Sequence, residues 1–179
     1  MIRGEKIVLT SLDRRNAETV LAWINDPAVN RFMLSGHVPL TLGEEMAFYD
    51  RSESSDSTHN FEIHVADDMR LIGHAGLIGV DLRHRHGEVG IMVGDVGSQN
   101  QGFGRDAIVT LLRFAFDTLG LNSATIRARE DNDRGIHLYR SVGFRPAGVF
   151  RQAEYAEGRF FDETLFDLLA EEFRSMYAT

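Results

Sequence analysis

The stretch Gln99-Asn100-Gln101-Gly102-Phe103-Gly104 carries most of the information about this chain. It follows a predicted strand over Glu88–Val93 and opens a predicted helix. The first N–H groups of a helix have no partner within it, and the helix dipole adds positive potential there. Gly102 and Gly104 lack a Cβ, so an anion could approach the backbone closely, and Arg105 could add a charged contact. The stretch therefore predicts a phosphate-binding loop. The helix behind it is indicated by apolar residues at helical spacing, namely Ile108, Leu111, Leu112, Ala115 and Phe116.

Two glycines at a helix start are weak evidence by themselves, because an ordinary strand–helix turn could also use them. The stretch is not a Walker loop, since no Gly-Lys-Ser/Thr follows it. It is also a poor dinucleotide fingerprint, because three strands precede the strand that leads into it and the next strand offers no well-placed acidic partner for a ribose. A nucleotide-binding domain of either kind is therefore disfavoured.

A second segment further along the chain strengthens the interpretation. It reads Asn132-Asp133-Arg134-Gly135-Ile136-His137-Leu138-Tyr139-Arg140-Ser141-Val142-Gly143-Phe144. Together the two segments resemble the Q/R-x-x-G-x-G/A loop and the N-x6-Y-x3-G-F segment of the GNAT superfamily of N-acetyltransferases. Residues 143–151 and 158–162 are similar to two branches of it, the spermidine acetyltransferases and the ribosomal-protein N-terminal acetyltransferases.

The element pattern agrees with that resemblance. Apolar alternation, helical spacing and turn residues predict the order β-α-α-β-β-β-α-β-α-β-β, in which Asp26-Pro27 ends the first helix and Thr41 with Glu44 caps the second. This is an α/β (α+β) fold in a single domain over residues 1–179, with a mixed sheet of about seven strands and about four flanking helices. The resemblance implies a splay between the fourth and fifth strands, Glu88–Val93 and Ala124–Ala128.

The resemblance also implies where acetyl-CoA, the co-substrate, would bind. Met92 and Val93 would contact the pantetheine at the splay, where unpaired backbone groups can take hydrogen bonds as an edge strand does. Asn132 would meet the pantetheine or the phosphates. The pyrophosphate would lie on Gln99, Asn100, Gln101, Gly102, Phe103, Gly104 and Arg105.

Two residues are candidates for proton transfer. Tyr139 would stand near the acyl sulfur and could protonate the leaving thiolate, although a tyrosine at this spacing could equally be a core residue with its hydroxyl at the edge. Glu88 is the candidate general base, and the alternative is a solvated carboxylate at a strand end. Solvent could also take the amine proton directly.

The acceptor amine is less well defined. A net charge of -8 favours a cationic or amine-bearing ligand and disfavours nucleic acid, although it is also what solubility requires. Spermidine enzymes place glutamates in the loop after the first helix, whereas residues 31–39 here carry no carboxylate. A pocket lined by Phe32, Met33 and Leu34 would suit a less charged amine. A small-molecule amine, an amino sugar, a polyamine and a protein N-terminus all stay open.

The composition excludes several classes. The chain has no cysteine, which rules out a disulfide framework, a cysteine nucleophile and zinc–thiolate sites. His84 and His86 lack an obvious third ligand, so no metal site is predicted. No signal-peptide pattern and no membrane-spanning stretch occurs, and we expect a cytoplasmic protein. A homodimer through the apolar last strand and a monomer are equally consistent with the residues.

The sequence therefore predicts an acetyl-CoA-dependent N-acetyltransferase that transfers an acetyl group to a primary amine by direct attack in a ternary complex. The alternative is a non-catalytic CoA-binding module that acts as a sensor or scaffold.

Overall fold

The computed structural model describes residues 1–33 and 38–178. Leu34, one of the three residues expected to line the acceptor pocket, lies outside these ranges. Within these ranges eight strands form one sheet, in the order β1-β2-β3-β4-β5-β6-β8-β7. Their bounds are Ile2–Arg3 (β1), Ile7–Ser11 (β2), His59–Val65 (β3), Leu71–Asp81 (β4), His86–Val93 (β5), Ser123–Arg129 (β6), Arg145–Ala156 (β7) and Arg159–Leu169 (β8).

In the described part of the chain, six α-helices connect or follow these strands. They are Ala17–Ile24 (α1), Pro27–Asn30 (α2), Leu42–Glu53 (α3), Phe103–Arg113 (α4), Asp133–Val142 (α5) and Ala170–Tyr177 (α6). The predicted capping box of α3 is present, because the Thr41 N–H donates to the Glu44 carboxylate and the Glu44 N–H donates to the Thr41 hydroxyl. Helix α4 continues into a wider π-helical turn over Phe114–Thr118 before the chain enters β6.

The sheet is antiparallel except where β5 pairs with β6. That parallel pairing covers only His86 with Ser123, Gly87 with Ala124, and Glu88 with Thr125. Beyond Glu88 the two strands separate, while β5 stays paired with β4 as far as Val93. The predicted splay is therefore confirmed, and it lies between β5 and β6 of the eight strands.

The two faces of the sheet pack against different helices. On one face α4 covers a large apolar core that includes Ile108 and Leu111, both fully buried. On the other face α3 lies over β4, where Tyr49 makes an edge contact with the His74 ring at 6.1 Å. The alternation of side chains along β4 explains this difference, since Ala75, the next residue, belongs to the core under α4.

The predicted element order is confirmed, with three additions. The predicted counts of about seven strands and four helices were low. Strand β1 has only two residues and is held by its pairing with β2. Asp26 caps α2 through the Ala28 N–H, so Asp26-Pro27 ends one helix and also starts the next. Helix α6 was missed, and it packs on the core through Phe173, whose ring lies 5.4 Å from that of Phe116.

Candidate active site

A cleft of about 450 Å³ opens where β5 and β6 separate. Its walls come from the end of β5, the loop before α4, one face of α5 and the chain around α2. Nine of the residues predicted to hold the cofactor line it, namely Met92, Val93, Gln99, Asn100, Gly102, Gly104, Arg105, Asn132 and Tyr139. The splay, the glycine loop and the tyrosine therefore meet at one site.

The edge of β5 that faces the cleft is unpaired with any strand beyond Glu88, although the Val93 carbonyl accepts from Gln99 Nε2. Met92 and Val93 pair with His74 and Gly73 of β4 on one side. On the other side β6 has already turned away after Glu88. An extended chain carrying amides, as pantetheine does, could pair with the remaining free groups of this edge as an added strand.

The loop before α4 has the backbone geometry of an anion site. Gly102 caps the helix with a φ of 85°, a left-handed conformation that favours glycine, and Asn100 adopts a φ of 61°. The Asp106 N–H donates to the Gly102 carbonyl at 3.1 Å. The N–H groups of the three residues before Asp106 precede this bond, and the first groups of a helix are the ones left without acceptors inside it. They are available to a phosphate.

The Gln99 side chain braces the loop from inside the cleft. Its Nε2 donates to the Val93 carbonyl at 2.9 Å, and its Oε1 accepts from Arg134 at 2.5 Å. The side chain thereby joins the end of β5 to the first turn of α5. Both polar atoms of the side-chain amide already form hydrogen bonds. Gln99 could therefore bind an anion only through its backbone, and its side chain would act by holding the loop in this conformation.

Helix α5 presents a polar face to the cleft. Asn132 caps it by accepting the Gly135 N–H at 3.0 Å. A Cβ at Gly135 would lie only 2.6 Å from the Asn132 amide nitrogen, which explains the glycine there. Arg134 and His137 line the cleft from the first and second turns of α5.

Tyr139 is the most buried titratable side chain of the cleft. It is 8% exposed, and its ring packs edge-on against Phe144 and Phe166. Its hydroxyl forms no hydrogen bond with any residue that the structure describes. Burial raises the pKa of Tyr139 to about 12, while the positive charge of Arg134 acts to lower it. The phenol is therefore protonated at neutral pH and can donate a proton.

Glu88 lies at the separation point but is not among the residues that line the cleft. Its carboxylate accepts a hydrogen bond from Arg127 Nε at 2.8 Å, and Arg127 also reaches Glu163 at 3.3 Å. Glu88, Arg127 and Glu163 therefore form a row of charged side chains on the α3 face of the sheet.

Gln101 and Phe103 also lie outside the cleft lining. The Gln101 side-chain amide donates to the Gly97 carbonyl at 2.6 Å, and Phe103 packs on the core.

The cleft is also lined by Val29, Phe32 and Met33. Phe32 and Met33 are two of the three residues that were predicted to line the acceptor pocket. Two cations contact the Phe32 ring, with the Arg31 guanidinium 5.2 Å and the Arg129 guanidinium 4.8 Å from its centroid. Arg129 is 3% exposed and pairs with Asp131 at 2.6 Å. The segment after α2 is therefore tied to the end of β6.

Arg134 and His137 were not among the predicted site residues. The signal that was missed is the helical spacing of residues 132, 135 and 139, because it places adjacent residues such as Arg134 and His137 on the side of α5 that faces the cleft.

Residues 1–33 and 38–178 contain no group of three His, Asp or Glu side chains that could hold a metal ion. Among the helices described, none is long and apolar enough to cross a membrane.

Comparison with known families agrees with this geometry. The family model of the acetyltransferase (GNAT) domain matches residues 6–145. The chain belongs to the GNAT family of acetyltransferases. Membership makes it an enzyme of the N-acyltransferase class, as the names of its relatives indicate.

Two curated relatives illustrate the GNAT similarity. An uncharacterized N-acetyltransferase, p20, from Bacillus licheniformis is 26% identical over 173 residues, which is 94% of this chain and 96% of that protein. The spermidine N(1)-acetyltransferase of Vibrio cholerae is 28% identical over 123 residues, 64% of this chain and 70% of that protein.

The fold of a solved structure is also similar. The spermidine N-acetyltransferase of Vibrio cholerae in complex with CoA and spermine superposes with a TM-score of 0.87 and 22% identity. The match covers 94% of this chain and 98% of that one. At this identity the likeness establishes the shared GNAT fold.

Proposed function

We propose that the protein is an acetyl-CoA-dependent N-acetyltransferase that acetylates a primary amine by direct attack in a ternary complex. The observation that carries the proposal is the separation of β5 and β6 after Glu88 and Thr125, because it opens into the same cleft that the glycine loop and Tyr139 line. The structure of the Vibrio cholerae relative with CoA and spermine supports both the cofactor and the amine class of the acceptor.

Binding would begin at the two backbone elements. The pantetheine would lie along the free edge of β5 at Met92 and Val93, and the pyrophosphate would accept hydrogen bonds from the N–H groups at the start of α4. Asn132, as the cap of α5, stands between these two regions and would meet the arm that joins them. Fixing the thioester in this way positions it for attack and removes most of the entropy cost of bringing two reactants together.

The chemical step would be a single displacement. The amine nitrogen forms a bond to the acyl carbon, the C–S bond breaks, and the sulfur takes a proton from the Tyr139 hydroxyl. The substituted nitrogen releases its own proton to solvent, from which Tyr139 is reprotonated. Burial raises the pKa of Tyr139 to about 12, so the hydroxyl carries its proton at neutral pH when the thiolate forms.

Glu88 has a different role in this proposal. Its carboxylate is engaged by Arg127 and lies outside the cleft lining, so we assign it to holding the point where the strands separate. The amine then loses its proton to solvent, one of the two routes that the sequence left open.

The acceptor would enter past Val29, Phe32 and Met33. These residues are apolar, and the described residues that line the cleft include no Asp or Glu, so the lining offers no carboxylate to a polyamine. We therefore propose an amine with apolar surface next to its nitrogen in preference to a free polyamine.

A CoA-release assay tests the proposal. The protein and acetyl-CoA are incubated with spermidine, amino sugars, aminoglycosides, and peptides with a free N-terminal Ser or Ala, and free thiol is measured. A rise in thiol with one amine class, accompanied by the mass of the acetylated product, supports an acetyltransferase for that class. Tight acetyl-CoA binding by calorimetry without thiol release from any amine would favour the non-catalytic CoA-binding module instead.

A further inference from the structure

A cation outside both sequence motifs reaches the glycine loop. Of the 19 lysine and arginine residues only residue 6 is a lysine. Lys6 stands just before β2, far from the loop in sequence. Its Nζ donates to the Gln101 carbonyl at 3.1 Å, and it lies so close to Gly102 that a Cβ there would approach the Nζ to 3.3 Å.

The backbone of Lys6 is fixed to the helix that follows the loop. Asp106, in the first turn of α4, accepts the Lys6 N–H at 2.7 Å, the Ile7 N–H at 3.1 Å and the Glu5 N–H at 3.2 Å. The approach is close: a Cβ at Gly4 would lie 2.6 Å from the Asp106 carboxylate, so a side chain there would force the segment away. The lysine is therefore anchored at its backbone, and only its exposed side chain is free to move.

Three cations lie near the loop, and the partners that they have among the described residues are neutral. None of the ion pairs among residues 1–33 and 38–178 includes Lys6, Arg105 or Arg134. Arg134 donates to the neutral Gln99 amide, and Arg105 donates to the Tyr177 hydroxyl at 2.9 Å. Three cations with neutral partners surround one loop in a chain of net charge -8. Such a cluster suits a ligand with several negative charges.

Resting on the proposed function, we propose that Lys6 is a phosphate-binding residue for acyl-CoA. CoA carries a diphosphate and a 3′-phosphate, and the N–H groups at one helix start can satisfy only part of that charge. The Lys6 ammonium has three donors, one of which holds the Gln101 carbonyl, so two stay available to phosphate oxygens. Its anchored backbone limits the entropy lost on binding to that of the side chain alone.

Binding affinities distinguish the two possible phosphate sources. The dissociation constants of CoA and of dephospho-CoA, which lacks the 3′-phosphate, are measured by calorimetry for the wild type, Lys6→Met and Lys6→Arg. We expect Lys6→Met to weaken CoA about three- to tenfold, with most of the loss recovered in Lys6→Arg. If the partner is the 3′-phosphate, dephospho-CoA binds the wild type and Lys6→Met equally; if it is the diphosphate, both ligands are weakened alike.

Chemical labelling separates phosphate contact from a role in bracing Gln101. The wild-type protein is reductively methylated with and without saturating CoA, and Lys6 is followed by mass spectrometry against the α-amino group as an internal reference. Phosphate contact predicts that CoA slows methylation of Lys6. A labelling rate unchanged by CoA would overturn the proposal, as would an unchanged CoA affinity in Lys6→Met.

The matched control is Arg51→Met, which removes one exposed positive charge at the end of α3. It should leave CoA affinity as it is, and an equal loss in both variants would show a general charge effect and overturn a specific role for Lys6. The binding measurements distinguish a failure of the role proposed for Lys6 from a failure of the proposed function. CoA binding by the wild type with no change in Lys6→Met refutes only the lysine, whereas no CoA binding by the wild type refutes both.

Discussion

Arg127 Nε donates to the Glu88 carboxylate, 2.8 Å away, at the last residue where β5 and β6 still pair. The two side chains join the strands on the α3 face just before the strands separate. Glu163, 4% exposed, holds the same guanidinium from β8. The position of the opening is thus set by a charged contact as well as by backbone pairing.

Replacement of Glu88 by Gln tests whether this carboxylate is a base or a brace. Gln keeps an oxygen that can accept from Arg127, so we expect kcat to fall by less than about fivefold, with the acidic limb of the pH–rate profile unchanged. Loss of a true general base would cost about 10²-fold or more and would remove that limb. Steady-state rates from pH 6 to pH 9 decide between the two, and the second result would return Glu88 to catalysis.

Tyr139→Phe removes the hydroxyl and leaves the packing against Phe144 and Phe166 in place. If the phenol protonates the leaving thiolate, kcat should fall by about 10²-fold while CoA affinity is retained. Single-turnover thiol release and calorimetry measure the two quantities separately. Tyr155→Phe, at a tyrosine that is 66% exposed, is the control. Full turnover in Tyr139→Phe would exclude this proton donor.

Two substitutions at Gly104 separate the effect of added side-chain volume on CoA binding from the effect of added negative charge. A Cβ there would lie 3.5 Å from Leu138 and 3.6 Å from Val93, which is ordinary contact, so Gly104→Ala should fold and bind CoA almost normally. Gly104→Glu would add a carboxylate at the cleft and should weaken CoA by about 10²-fold or more, because like charges placed together cost several kcal/mol. Equal affinities of the two variants in calorimetry would contradict a phosphate at this loop.

His74 should make the fold sensitive to acid. Burial lowers the pKa of His74 to about 4, and the nearby His64, which contacts Glu62 at 3.0 Å, contributes less. The His74 Nε2 has no hydrogen-bond partner among the described residues. Below pH 6.5 the His74 imidazole is protonated in the unfolded chain but stays neutral in the folded chain, so the free energy of unfolding decreases as the pH falls towards 4.

The size of this effect follows from the two pKa values. Between pH 7 and pH 5 the wild type should lose about 2 kcal/mol of unfolding free energy through His74 alone. His74→Leu should not show this loss, whereas His84→Leu, at an exposed turn, should show it in full. Urea unfolding at the two pH values provides the comparison. Parallel losses in the wild type and His74→Leu would show that the imidazole is not held neutral.

Much of the fold could be predicted because its signals are local. The capping pair Thr41 and Glu44, the glycine at 143 and the apolar spacing in α4 each depend on a few neighbouring residues, and each appears in the structure. The position of β8 between β6 and β7 could not be predicted, because strand order in a sheet depends on pairing between distant segments. The four-residue helix α2 was not predicted, because Asp26-Pro27 was interpreted as the end of α1, whereas in the structure the same pair also begins α2.

The candidate site shows the same division. Motif spacing identified the loop and Tyr139, which share the cleft in the folded chain. It did not identify Lys6, since no local pattern shows that residue 6 would stand beside residue 101. The motif also could not show that the Gln101 side chain and Phe103 turn away from the cleft, because the rotation of each residue in a loop is set by its own hydrogen bonds and packing.

The three N–H bonds to Asp106 have a consequence for how the protein folds. The carboxylate lies 100 residues after Lys6 in sequence, so the start of β2 cannot be secured until more than half of the chain has been made. Contacts of such long range are slow to form, because a large loop must close first. During synthesis the first strands should therefore stay open to proteases or chaperones until α4 emerges, and the phosphate loop and the amino-terminal segment should gain protection from hydrogen exchange together.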